Sequence, residues 1–219
     1  MIVLSTKKLN KQFKFAFDQN GIDLVEIPMI KTEIIHFIWP EIKFGIIITS
    51  SKALKALLNH SQHESLKELP FFCVGTNTKN RLTKLGLKVL ECENSAEHLA
   101  NKILEKYSDK IFNYFCGKQR LDSIEKILKK SNVLISEVYE TKEVPKKVSD
   151  KFDGVIFFSP SAVKSYASTN SFNSQKFFSW GNTTGNEIAK HTNNYFISKN
   201  PEINSLILII KKHLKKTDD

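Results

Sequence analysis

The feature that most constrains this chain is a repeat. Val155 to Tyr166, VIFFSPSAVKSY, is a short apolar run ended by Ser159-Pro160-Ser161 and followed by a helical pattern. Such a run reads as a buried parallel strand delivering a helix N-terminus. Pro160 suits the first turn of that helix, where its missing N–H has no intrahelical partner to lose. The N–H groups that remain, with the Ser159 and Ser161 hydroxyls, form an anion-friendly cup. The same unit stands at Ile46 to Leu57, IIITSSKALKAL, where Ile47, Ser50, Ala53 and Lys55 recur as Ile156, Ser159, Ala162 and Lys164. A second pair lies downstream, Phe71 to Leu82 and Phe177 to Ile188, with five of twelve positions identical, among them Gly75/Gly181 and Thr78/Thr184. Both matches run in the same order, at offsets of 109 and 106 residues. They point to an internal duplication, against the plainer reading that all α/β units share this strand–serine–helix grammar.

A duplication in 219 residues gives two domains of roughly 100 residues, each large enough for its own core. The apolar start Met1 to Leu4 is too short for a secretory signal and meets Lys7 and Lys8. The apolar run Leu206 to Ile210 is far short of a membrane span, so no membrane partner is expected. Cys73, Cys92 and Cys116 lack metal or redox spacing and fit buried thiols in a reducing cytoplasm. His60 and His63 lie in a polar stretch with no third ligand, so no metal is expected. The net charge of +10 is spread along the chain, with clusters only at Lys129-Lys130, Lys146-Lys147 and Lys211, Lys212, Lys215, Lys216. Without an arginine-rich block, an RNA-binding aromatic motif or a zinc knuckle, this charge reads as solvated surface or as steering of a polyanionic small molecule. No nucleic-acid partner is expected.

Along the chain, strands are expected at Ile2–Leu4, Asp23–Met29, Gly45–Thr49, Phe71–Val74, Leu87–Leu90, Ile111–Phe115 and Val133–Tyr139. Pro28 marks its strand as an edge or exit strand. Helices are expected at Leu9–Gln19, stopped by Asn20-Gly21, at Ser51–Asn59, and at Lys79–Leu85, capped by Gly86. Others begin at Ser95, run from Leu121 to Lys130, and follow Pro201 with Ile203, Leu206, Ile207 and Ile210 on one face. Strands alternating with helices give a parallel α/β architecture, which binds ligands at the C-terminal ends of its strands. Ser50, Gly75, Gly117, Ser159 and Gly181 all fall at such ends. There is no complete Gly-x-Gly-x-x-Gly, no P-loop and no nucleophile elbow.

Six short motifs in order resemble the uroporphyrinogen-III synthase family over most of the chain. They are Thr49-Ser50-Ser51-Lys52-Ala53, Val74-Gly75-Thr76-Asn77-Thr78 and Cys116-Gly117-Lys118, then Val138-Tyr139-Glu140-Thr141, Phe157-Phe158-Ser159-Pro160-Ser161-Ala162 and Gly181-Asn182-Thr183-Thr184. The resemblance implies two similar parallel-sheet α/β domains joined by a two-stranded β connector, with the active site in the cleft between them. One domain would comprise residues 1–30 and 145–219, the other residues 32–141, with connectors at about 27–35 and 136–144. Ser51 and Asn182 stand where the family carries proline, and Trp180 replaces a smaller aliphatic residue. These departures bear on local loop shape.

The implied activity is cyclisation of hydroxymethylbilane, a polycarboxylate linear tetrapyrrole, with inversion of its last pyrrole and loss of water. No cofactor is implied, and the protein is expected to be a cytoplasmic monomer. Tyr139 matches the family's candidate acid, and a phenol of ordinary pKa about 10 is protonated at neutral pH. Its ordinary reading is a β-favouring strand residue. Thr49, Ser50, Gly75, Thr78, Gly117, Lys118, Ser159, Ser161, Gly181 and Thr184 are the implied substrate-binding set. For Ser50, Ser159, Thr78 and Thr184, helix N-capping is the plainer role and is compatible with substrate contact. Lys52, Lys79 and Lys118 would add electrostatic attraction. The rival readings are a non-catalytic two-domain small-anion binding protein, an inactive synthase-like protein, and a nucleic-acid-associated module suggested by charge alone.

Overall fold

The structure, a computed structural model, describes residues 1–128, 132–148, 152–173 and 175–214. Lys129-Lys130, Lys215 and Lys216 lie outside the described residues. In chain order the elements are β1 (Ile2–Ser5), α1 (Lys11–Asp18), β2 (Asp23–Glu26), β3 (Ile30–Ile34), β4 (Gly45–Ile48), α2 (Ser51–Leu58) and a 3-10 turn at His63–Glu68. Next come β5 (Phe71–Val74), α3 (Thr76–Lys84), β6 (Val89–Glu93), α4 (Ala96–Lys106), β7 (Phe112–Gly117), α5 (Ser123–Ile127) and β8 (Val133–Glu143). The chain ends with β9 (Gly154–Phe157), α6 (Pro160–Ala167), β10 (Lys176–Ser179), α7 (Asn182–Ile188), β11 (Tyr195–Ile197) and α8 (Ile203–Leu214).

The chain divides into two compact units, a split one of Met1–Lys31 with Lys142–Asp219, and a contiguous one of Thr32–Thr141. The split unit holds a sheet of order β11-β10-β9-β1-β2, and the contiguous unit holds the order β3-β8-β7-β4-β5-β6. Every recorded pairing is parallel apart from that of β3 with β8. There Ile35 N–H donates to Val138 O and Val144 N–H to Met29 O, so one number falls as the other rises and the strands run antiparallel. The passage between units falls inside β3 and β8.

The two sheets repeat each other register by register. Val3 pairs with Gly154 and Leu24 in one, and Phe112 with Gly45 and Val133 in the other. Each residue is 109 positions from its counterpart. Phe177 pairs with Val155 and Tyr195, as Phe71 pairs with Ile46 and Val89. Even the close approaches repeat. A Cβ on Gly45 would stand 2.9 Å from the Phe72 ring, and one on Gly154 would stand 2.8 Å from the Phe178 ring. The duplication is therefore real, but each sheet mixes the copies. It takes two strands, β1 and β2 or β7 and β8, from one copy, and the rest, β9–β11 or β3–β6, from the other copy.

Each sheet is buried on both faces, as a parallel sheet between helices requires. In the contiguous unit Ile46, Ile48, Phe71 and Phe115 face α2, while Ile47, Phe72, Phe112 and Tyr114 face α4 and α5. In the split unit Leu4, Val155, Phe157 and Phe177 face α6, and Val3, Ile156 and Phe178 face α1 and α8. The last helix buries Leu206, Ile207 and Ile210, the apolar face set by their spacing.

Several boundaries differ from expectation. The first helix starts at Lys11, because Asn10 Oδ1 accepts the Phe13 N–H and caps it there. Helix α3 starts at Thr76, so Thr78 lies inside its first turn. The strand expected at Leu87–Leu90 is Val89–Glu93, because Leu87 turns into the core just after Gly86 at φ +73°. The strand expected to end at Tyr139 continues to Glu143.

Candidate active site

In both sheets the chain fills one side of a starting strand and then the other. The reversal falls between β4 and β7 in the contiguous unit and between β1 and β9 in the split unit. Ligands of parallel α/β sheets lodge outside the strand C-termini at such points.

At the contiguous unit's switch point, β4 delivers Thr49 and Ser50. Thr49 Oγ1 lies 3.0 Å from Tyr114 Oη. Burial pushes the Tyr114 phenol up to about 12, so it stays protonated and holds the Thr49 hydroxyl in place. Tyr114 was not singled out by sequence. The available signal was a tyrosine inside an otherwise apolar strand, whose hydroxyl needs a partner once buried. Ser50 caps α2, accepting the Lys52 N–H at 3.1 Å.

Next to β4, β7 delivers Gly117 and Lys118. The register of β7 on β8 slips between Cys116, which faces Glu137, and Gly117, which faces Tyr139. This bulge leaves Val138 as the extra residue. Bulges of this kind re-aim side chains at strand ends. Here the half-buried Tyr139 turns its ring tip onto Gly117, where an added Cβ would lie 2.6 Å from its Cε2 and Cζ. Lys118 N–H donates to Tyr139 O at 2.9 Å, tying the two strand ends together. Lys52 Nζ stands 5.7 Å from the centre of the Tyr139 ring. Beyond the bulge, Arg120 donates to Glu125 at 2.6 Å, to Glu137 at 2.8 Å and to Gly117 O at 3.4 Å. Thr49, Ser50, Lys52, Gly117, Lys118 and Tyr139 are thus gathered at one edge of one sheet.

Gly75 and Thr78 follow β5, on the other side of β4, at the cap and in the first turn of α3. Gly75 takes φ +83° and donates its N–H to Glu93 O at 2.8 Å. Thr78 is 6% exposed and Thr184 5% exposed. Neither caps its helix: Gly75 and Gly181 hold the cap positions, with no side-chain cap bond. In the split unit Ser159 caps α6, accepting the Ala162 N–H at 3.4 Å, and Ser161 lies half-buried one residue after Pro160. Gly181 and Thr184 follow β10, and Trp180 rests on Phe13 and Phe158 at 5.5 and 5.6 Å between ring centres. Lys79 and Lys118 are exposed.

Among the described residues no three or more His, Cys, Asp or Glu side chains are placed to hold a metal ion. The His60 ring stands 4.8 Å from Phe37 and 4.9 Å from Trp39, and His63 Nε2 is 3.1 Å from Glu64.

The family model described as uroporphyrinogen-III synthase HemD (HEM4) matches residues 11–208. Comparison with curated proteins finds no match. The chain is similar to the crystal structure of uroporphyrinogen-III synthetase from Helicobacter pylori 26695, with a TM-score of 0.73 at 18% identity, over 97% of this chain and 99% of that one. It is also similar to a mutant uroporphyrinogen III synthase from the extremely thermophilic bacterium Thermus thermophilus, with a TM-score of 0.64 at 12% identity, over 97% and 98% of the two chains. At these identities the structures speak for the fold, and the family model speaks for descent: the chain belongs to the uroporphyrinogen-III synthase family.

Proposed function

We propose that this chain is a uroporphyrinogen-III synthase, which closes hydroxymethylbilane into a macrocycle with inversion of the last pyrrole and loss of water, in tetrapyrrole biosynthesis. The observation that carries this reading is the family match over residues 11–208. Without a catalyst the linear chain closes uninverted, so the task is largely conformational: hold a flexible polyanion so that the substituted end of the last pyrrole attacks. Serine-capped helix starts after β4 and β9 suit substrate carboxylates, because they present N–H donors and hydroxyls at the positive ends of helix dipoles. Thr49, Ser50, Gly75, Thr78 and Lys118 serve binding from the contiguous unit, and Ser159, Ser161, Gly181 and Thr184 from the split unit. Tyr139 is the proton donor to the departing hydroxyl, which leaves as water. Its support is its place at the switch point, over Gly117 and under Lys52. The enzyme works as a monomer in the cytoplasm, and the free thiols Cys73, Cys92 and Cys116 support that compartment.

The test is an isomer assay. Hydroxymethylbilane generated in situ is incubated with purified protein, oxidised, and resolved into type I and type III porphyrins. Dominant type III product without added cofactor is expected. Type I product alone from the folded protein would mean a binding protein or an inactive relative.

A further inference from the structure

We propose that Gly117 is a positioning residue for Tyr139: it leaves open the space that the phenol tip occupies, and Lys52 holds the ring from its face. This rests on the synthase reading and adds to it how the acid is aimed.

Glycine is not demanded at 117 by the backbone. Among the described residues the glycines with left-handed φ are Gly21, Gly75 and Gly86, and Gly117 is not one of them. Nor does the duplicated fold demand it. The fold glycines Gly45 and Gly154 are counterparts at the 109-residue offset, whereas the counterpart of Gly117 is Lys8. What needs the missing side chain is the phenol. A Cβ here would stand 2.6 Å from Tyr139 Cε2, 2.6 Å from Cζ and 2.9 Å from Oη. All three atoms are at the far end of a side chain that can swing. The backbone around it is held by the Lys118 N–H to Tyr139 O bond and the Arg120 bond to Gly117 O. An added methyl would therefore displace the hydroxyl and leave the strands in place. Lys52 Nζ, 5.7 Å over the ring, restrains the same group by cation–π attraction.

The experiment is a double-mutant cycle of Gly117→Ala and Tyr139→Phe, read as kcat, KM and type III fraction on the full chain. Gly117→Ala is expected to fold normally and to lower kcat by about 10- to 100-fold, the scale set by misplacing a reacting group by about 1 Å, with KM within about twofold. The double variant should be no slower than Tyr139→Phe alone, because Gly117 acts through the phenol. Lys52→Met should lower kcat by a few-fold, and Lys52→Arg should restore it. Losses that multiply in the double variant, or a raised KM with unchanged kcat, would overturn the inference and return Gly117 to direct substrate contact. The Tyr139 ring resonance, assigned by its loss in Tyr139→Phe, should shift in Gly117→Ala. An unmoved resonance would also overturn the inference. If the wild type makes no type III product, the synthase reading fails instead, and the resonance alone decides whether Gly117 seats the ring.

Discussion

The two switch points share a backbone and differ in chemistry. Counting back 109 residues, Tyr139 corresponds to Ile30 and Gly117 to Lys8; counting forward, Thr49 corresponds to Phe158 and Lys52 to Ser161. Ser50 and Ser159 are the same residue in the same capping role. Duplication has kept the helix-start hydroxyls at both points and placed the phenol, its glycine seat and its lysine at one. A second contrast concerns the strands themselves. Continuous β8 corresponds to the pair β2 and β3, broken around Pro28, whose counterpart is Glu137. Proline offers no N–H to a ladder, so β2 ends as the outer strand of its sheet, while β8 runs on between β7 and β3.

The comparison breaks first, if it is wrong, at Tyr139. Tyr139→Phe should lower kcat on the order of 10²-fold with KM nearly unchanged, as measured by the isomer assay at saturating substrate. The next effect is on stability. Glu137→Pro writes the split unit's break into β8, between two neighbours rather than at an edge. It should lower the urea midpoint strongly, while Pro28→Ala should move it little.

Alkaline pH gives a third test. Burial raises the Cys116 thiol from 9.0 and the Tyr114 phenol from 10.0, both to about 12. Both groups therefore ionise first in the unfolded chain. Their stabilisation is whole below about pH 9 and is lost as pH climbs towards 12, at roughly 1.4 kcal/mol per pH unit for each group once its unfolded form is ionised. Urea midpoints between about pH 8 and 11 check this, and Tyr114→Phe should flatten the part above about pH 10. The smallest expected effect sharpens the comparison most. Ser50→Ala and Ser159→Ala should each cost about 1 kcal/mol of helix cap and raise KM by a similar few-fold, with kcat kept. Unequal KM effects would show that the two hydroxyls do not share the substrate's charge alike.

Much of the fold was legible in the sequence because it rests on local pattern. The runs at Ile46 and Val155, their serines and the helices after them are fixed by apolar clustering and capping chemistry, and the structure has Ser50, Ser95 and Ser159 as caps. What escaped depends on register. The slip that turns Tyr139 onto Gly117 is a property of two paired strands, and neither strand carries it alone. The bond from Thr49 to Tyr114 spans 65 residues. The strand expected at Leu87–Leu90 lies at Val89–Glu93 because Glu91 and Glu93 make its far half look polar, yet Lys106 and Lys102 on α4 face them at 3.0 and 3.6 Å. Short β11, three residues long, gives too little pattern to find.

The mixing of the two copies sets a timetable for synthesis. Once Thr141 has been made, every strand that the contiguous unit uses has been made. The strand β1 has no such luck: its inner neighbour β9 begins only at Gly154. At about 5–20 residues per second, Ile2-Val3-Leu4 waits roughly 8–30 s for that neighbour. At the end of that interval the nascent chain carries one finished unit and one apolar edge still open to whatever meets it first.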